Sequence, residues 1–323
     1  MKKIAITILI IMIASCSAVT THVTKTNNRK KDSEIVCYFK SLDESTQWVL
    51  VDSIKQNFRT YHPQGMVKIG DFYYLSSVEQ IIKPEKLDPY KNKYDRTPGS
   101  GIGHLFKIDQ KGNLVALTTL GEGTIYHPGG IDYDGEYIWI AVAEYRPHSK
   151  SIIYRVNPTN LEAEKMFYFD DHIGCLVYNK LKHELHGMNW GSRRFYIWKL
   201  DNLINKPDIS NFSTLQFKTK LNGNYYIDYQ DCHYLTDKYM LCSGLKKYSI
   251  PNLGTIAIGG LELVDLETHI PVHQISVNSW IMPDIVMTQN PFYFEMVNHH
   301  LRFYFMPEDD ESMLYIFEAI RAE

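Results

Sequence analysis

The residues best suited to chemistry recur at a fixed interval. His62 lies in Tyr61-His62-Pro63-Gln64-Gly65-Met66 and Glu79 follows 17 positions later; His127 lies in Tyr126-His127-Pro128-Gly129-Gly130-Ile131 and Glu144 follows at the same interval. His172 begins a third copy, His172-Ile173-Gly174-Cys175, in which the corresponding position is Asn189. A histidine beside a carboxylate can exchange protons near neutral pH. Three imidazoles with a carboxylate can instead hold a divalent metal such as Zn²⁺ and support metal-assisted hydrolysis. His62, His127 and His172 are therefore candidate metal ligands, and Glu79, Glu144 and His104 candidate acid–base groups. Gln64, Asp228 and Gln230 occupy matching positions in the copies. Arg146, Asn189, Trp190, Arg193 and Arg194 fall at or just after the ends of second strands, where guanidinium groups suit an anionic ligand. Each has a structural alternative: His-Pro shaping a turn, Glu79 and Glu144 paired with arginines as a network, Arg193 and Arg194 in a solvated loop.

Such spacing needs a repeated scaffold. A weaker fourth copy is Asp228-Tyr229-Gln230-Asp231-Cys232, and the weakest starts near Met282-Pro283-Asp284 and runs through Phe292-Tyr293-Phe294. After each pair of strands comes a further strand-turn-strand, as in His104 to Asp109 and Leu114 to Leu120. Four-stranded units repeated at this period read as an all-β propeller, most simply of five blades, or six if two merge between 200 and 260. A strand at Trp48 to Asp52 precedes the first unit, and the last unit lacks its outer strand, so the N-terminal strand would close the ring. In a blade the start of strand one and the end of strand two share a face. That places the His, Glu and Arg residues around one mouth of a central channel. The 82–101 insertion lies on the same face as a lid.

Composition bounds the rest. The 323 residues are 44% hydrophobic and 22% charged with a net charge of −3, which excludes disorder and gives no basic surface for nucleic acid. The 23 tyrosines favour sheet. Lys2 and Lys3 precede an apolar run, Ile4 to Ala14, too short to span a bilayer comfortably, and Ile13-Ala14-Ser15-Cys16 resembles a bacterial lipobox. The expected organisation is a signal peptide over 1–15, a lipidated Cys16 and tether over 16–46, and one propeller domain over 47–323, in an exported protein anchored to the cell envelope. An exported chain permits disulfides, and Cys232 and Cys242 flank a turn symmetrically, within reach across a hairpin.

No nucleophile elbow, phosphate loop or His-Glu-x-x-His is present. The acidic run Glu308-Asp309-Asp310-Glu311 reads as a solvated turn. The stretches Tyr126 to Gly135, Val142 to Pro147, Asp171 to Gly174, Trp190 to Phe195, Tyr226 to Cys232 and Phe305 to Asp310 resemble a family of bacterial and fungal proteins described only as a domain of unknown function. That resemblance implies a propeller-like fold and no catalytic residues. A looser similarity to the regucalcin, gluconolactonase and strictosidine-synthase-like propellers carries no site residue, because their metal-binding Glu-Asn-Asp set is not evident. The sequence thus supports a small polar or anionic ligand at the His/Glu/Arg face, with catalysis left open. The alternative is a non-catalytic envelope platform for a protein or glycan.

Overall fold

The computed structural model describes residues 32–88, 90–200, 216–236, 238–252 and 254–321. Cys16 and the expected signal segment lie outside the described residues. Regular structure is almost wholly strand. After one helix over 32–39 (α1) comes β1 (Gln47–Lys55). The first meander is β2 (His62–Ile69), β3 (Phe72–Ile82), β4 (Ser100–Ile108) and β5 (Leu114–Leu120); the second is β6 (His127–Tyr133), β7 (Ile138–Ala143), β8 (Ser151–Val156) and β9 (Ala163–Phe169). The third is β10 (Ile173–Asn179), β11 (Glu184–Asn189), β12 (Arg194–Lys199) and β13 (Phe217–Leu221); the fourth is β14 (Asp228–Thr236), β15 (Tyr239–Ile250), β16 (Gly254–Asp265) and β17 (Pro271–Ser276). A short hairpin, β18 (Trp280–Met282) and β19 (Ile285–Val286), precedes β20 (Phe292–Val297), β21 (His300–Phe305) and β22 (Met313–Ile320). β1 joins these last three by pairing antiparallel with β22. The fifth inner strand therefore begins at Phe292, ten residues after the expected start at Met282, which belongs to the β18–β19 hairpin instead.

Burial grades outward across each sheet and follows the side chains. The first two strands of the second sheet, His-Pro-Gly-Gly-Ile-Asp-Tyr and Ile-Trp-Ile-Ala-Val-Ala, are buried almost throughout. The outer strand β5 alternates, with Val115 and Leu117 exposed. Strands covered on both faces read as continuous apolar runs, and edge strands as alternation.

The inner strands share one irregularity. β2, β6, β10 and β14 each carry a bulge within their first residues, at Pro63/Gly65, Pro128/Ile131, Ile173/Cys175 and Tyr229/Asp231. Glycine is needed here because the strands nearly touch: a Cβ on Gly65 would lie 2.5 Å from the Ile131 nitrogen. At the equivalent place β14 carries Asp231, fully buried. Its Oδ1 accepts the N–H groups of Ile131 (3.0 Å) and Cys232 (3.1 Å), and its Oδ2 those of Met66 (3.0 Å) and Phe292 (3.4 Å). One carboxylate thus ties the inner strands of four sheets together at corresponding positions of the repeat. The centre, where the sequence places a channel, holds that side chain at this level.

The tether boundary moves as well. Residues 32–46 do not hang free: Ile35, Val36, Phe39 and Leu42 enter the cluster that also holds Leu263, Ile275, Phe292 and Phe303. His273 Nε2 lies 2.8 Å from the Leu42 carbonyl oxygen, so it donates there and fixes the end of this segment. Residues 32–46 are therefore part of the folded body. Cys232 and Cys242 sit directly opposite on β14 and β15 and are joined in a disulfide.

Candidate functional site

The 17-residue interval is reproduced in register. His62 lies opposite Val78, the residue before Glu79, and His127 opposite Ala143, the residue before Glu144. The best-formed polar arrangement on this face nevertheless involves a partner from the far end of the chain. His62 Nδ1 meets Asp309 Oδ1 at 2.7 Å. Both flanking backbones are left-handed, Tyr61 at φ 58° and Asp310 at φ 61°. The Asp310 N–H donates to the Tyr61 carbonyl at 2.6 Å, and the Thr60 N–H to the Asp310 carbonyl at 2.9 Å. A bulky residue in this region costs of order 1–2 kcal/mol. Here the cost secures a seam between the first and fifth sheets that presents the His62–Asp309 dyad. Because Asp309 occupies Nδ1, Nε2 is the ring atom left to meet a ligand.

Two open clefts meet at this dyad. One, about 470 Å³, is lined by Arg59, Tyr61, Glu79, Gln80, Lys83 and Tyr145 together with His62 and Asp309. The other, about 520 Å³, is lined by Asp228, Gln230, Lys246, Lys247, Gln289 and Asn290, again with His62 and Asp309. Charges in both are largely matched: Arg59 binds Asp310 at 2.7 Å and Lys246 binds Asp228 at 3.0 Å. Glu79 Oε2 lies 3.1 Å from Nε2 of the buried His104, on whose ring Tyr61 stacks. Burial raises the Tyr61 hydroxyl pKa, with the Glu79 charge adding to it.

Behind the first cleft lies an imidazole row. His127 is buried with neither ring nitrogen hydrogen-bonded to protein, its ring stacked 4.2 Å from Tyr145 and 6.3 Å and 6.0 Å from His62 and His172. Burial, reinforced by the neighbouring imidazoles, pushes the His127 pKa well below the ordinary range, and burial lowers that of His172 to about 4. Both are neutral at pH 7. The 82–101 segment covers this row: the Arg146 guanidinium sits 3.7 Å from the Tyr94 ring centroid, Arg96 lies 4.9 Å from Trp190, and the Tyr126 hydroxyl donates to the Pro98 carbonyl.

Several expected roles change in the structure. His172 Nδ1 is bonded to the Glu144 backbone carbonyl at 2.8 Å, and the three imidazoles form a row about His127. Among the described residues no three His, Cys, Asp or Glu side chains converge so as to hold a metal ion. The set of His62, His127 and His172 therefore does not fit a divalent metal. Glu144 is not placed as a base. It is buried, with Arg146 Nη2 and Nε on one carboxylate oxygen at 2.6 and 2.7 Å and the Thr124 hydroxyl on the other at 2.5 Å. Arg146 is thereby committed to a structural pair. Arg193 binds the carbonyls of Gly191 and Asn224 and the Asp228 carboxylate, which shapes the loop. Asn189 holds Asp171 and the Arg194 backbone. Trp190 packs on His172, and Gln64 turns back onto the Pro63 carbonyl. Gln230 and Asp228 line the second cleft, and Glu79 and His62 the first.

Asp309 is the residue that sequence reasoning set aside, as part of a solvated acidic turn; it meets His62 across 247 residues of chain. A separate buried cluster, Asp132, Asp231 and His233, lies deeper along the inner strands. His233 is 3.6 Å from each carboxylate and donates through Nε2 to the Phe292 carbonyl. Burial alone would lower its pKa, but the two carboxylates outweigh this and raise it, while burial pushes Asp231 up to about 7. This end opens into a cavity of about 210 Å³ beside Lys68, Lys180 and Tyr293.

Curled four-stranded antiparallel sheets with a shared polar face define a propeller-like, all-β protein. The chain belongs to the DUF6454 family, a family of unknown function whose model matches residues 27–322. No curated protein matches it. Among solved structures it is similar to the WD40 domain of Neurospora crassa Pan2, with 8% identity and a TM-score of 0.39 over 87% of this chain and 98% of that one. It is also similar to hydrazine synthase of Kuenenia stuttgartiensis, with 8% identity and a TM-score of 0.38 over 81% of this chain and 60% of that one.

Proposed function

We propose that the protein is a five-bladed propeller, closed by β1 on β22, that binds a small polar ligand in the twin clefts and uses His62 as the proton-transfer group there. The observation that carries this reading is the dyad. A His–Asp pair at 2.7 Å, set between two left-handed residues at a seam between distant parts of the chain, is costly to build and opens onto both clefts. Asp309 orients the ring through its contact at Nδ1. Neutralised ion pairs in the clefts, together with Arg146 and Arg193 locked into structure, favour an uncharged, hydroxyl-bearing ligand over an anion. Carboxylates and amides accept and donate to hydroxyls, and the Tyr61 and Tyr145 rings offer apolar faces.

The lipobox-like Ile13-Ala14-Ser15-Cys16 supports export and anchoring through a lipid on Cys16. Cys16→Ser should then shift the protein from the membrane to the soluble fraction. A second reading, a docking platform, draws on the exposed Tyr248, Ile256, Trp280 and Met282 around the extended β15–β16 hairpin.

A thermal-shift screen of neutral sugars, lactones and phosphoesters tests the leading reading, because a ligand of the native state raises the midpoint. Shifts from neutral hydroxylated compounds that disappear in His62→Ala support it. Shifts only from phosphoesters, or shifts unchanged in His62→Ala, overturn it.

A further inference from the structure

Resting on that ligand reading, we infer that the substrate is a chain of at least two joined neutral saccharide units laid across the His62–Asp309 ridge, one unit in each cleft. The two clefts are separate cavities of about 470 and 520 Å³, each inside the roughly 300–1,000 Å³ range of small-molecule sites. They share His62 and Asp309 among their lining residues. A single compact ligand would engage only one cavity and leave the other set of hydrogen-bonding groups facing water. A ligand of two units fills both and carries its linkage over the ridge, beside His62. The walls differ in a way that suits two units of one polymer. The first cleft offers the rings of Tyr61 and Tyr145 for a sugar face, with Glu79 for hydroxyls. The second offers the side-chain amides of Gln230 and Gln289 beside Lys247. Amide side chains donate and accept together, which matches vicinal hydroxyls or an N-acetyl group.

The test is calorimetric titration of the protein with glucose and N-acetylglucosamine, and with their dimers cellobiose and chitobiose. At least one dimer should bind roughly 10-fold or more tightly than its monomer, as about 1.4 kcal/mol from the second unit requires. Gln230→Ala combined with Lys247→Ala should remove that gain while leaving monomer affinity within about 2-fold, because both line the second cleft and neither lines the first. The variant's thermal midpoint, measured alongside, confirms that it folds. Equal affinities for monomer and dimer, or a gain that survives the double substitution, would overturn the two-unit inference while leaving the ligand-binding reading standing. If no saccharide of either length binds, both fall together.

Discussion

Asp231→Asn removes the charge at the centre of the fold while keeping the size of the side chain. The carboxylate satisfies four backbone N–H groups, two at each oxygen. An amide supplies one accepting oxygen and one NH₂ group. Whichever way it turns, two donors lose their acceptor: Ile131 and Cys232 on one side, or Met66 and Phe292 on the other. A buried donor left unsatisfied costs about 1–3 kcal/mol, so the expected loss is roughly 2–6 kcal/mol. His233 also loses one of its two counter-charges. At roughly 2–4 °C per kcal/mol for a domain of this size, the melting midpoint should fall by roughly 5–20 °C. Scanning calorimetry or circular dichroism at fixed pH measures this. Asp228→Asn is the control. That carboxylate forms its ion pairs near the surface, where such pairs contribute about 0–1 kcal/mol, so its midpoint should move by less than about 3 °C. If Asp231→Asn melts within about 3 °C of the parent, Asp231 is not the tie between sheets described above.

Stability should peak near neutral pH, from two opposed sets of groups. His127, His172, His186 and His269 are buried with lowered pKa values, about 4, 3 and 4 for the last three. Their contribution is present above the unfolded value of about 6.5 and is lost as pH falls from there toward 4, so acid should unfold the protein early. The Asp231 contribution is present below the unfolded value of about 4 and is lost as pH rises toward its folded value of about 7, and that of the raised His233 is lost as pH rises above about 6.5. Above pH 7 the four neutral histidines add no slope, and a midpoint that does not decline as pH rises further would contradict the raised His233. Phe39→Ala should cost about 3–5 kcal/mol, since Phe39 is fully buried against the fourth and fifth sheets, and a chain begun at Gln47 should melt lower than one begun at Asp32. Glu144→Gln should cost about 3 kcal/mol by leaving buried Arg146 without its counter-charge, yet leave ligand affinity unchanged, because Glu144 lines neither cleft.

Much of the scaffold was legible because repetition is written in spacing. The His-to-Glu interval fixes which residues start the inner strands and which end their partners, and an apolar run such as Ile-Trp-Ile-Ala-Val-Ala has only one comfortable place. The fifth inner strand was misplaced because Phe292-Tyr293-Phe294 follows no His-Pro signal. The α1 segment was missed because eight residues carry too little periodicity to register against a polar, basic leader. The site was harder to read. Residue type nominated Glu144, Arg146 and Arg193, but contact geometry decided that they neutralise one another or pin loops. Asp309 and Asp231 carried no local signal. One meets His62 across 247 residues of chain, and the other draws its importance from N–H groups on three other strands.

The central claim is that ligand sits over the His62–Asp309 dyad. A crystal structure of the protein with the tightest-binding saccharide tests it most directly. A sugar should lie in the cleft beside Tyr61 and Tyr145, with an oxygen within hydrogen-bond distance of His62 Nε2. A ligand found instead in the opposite cavity beside His233 and Lys180, or against the Trp280 hairpin, with His62 facing only solvent, would contradict it.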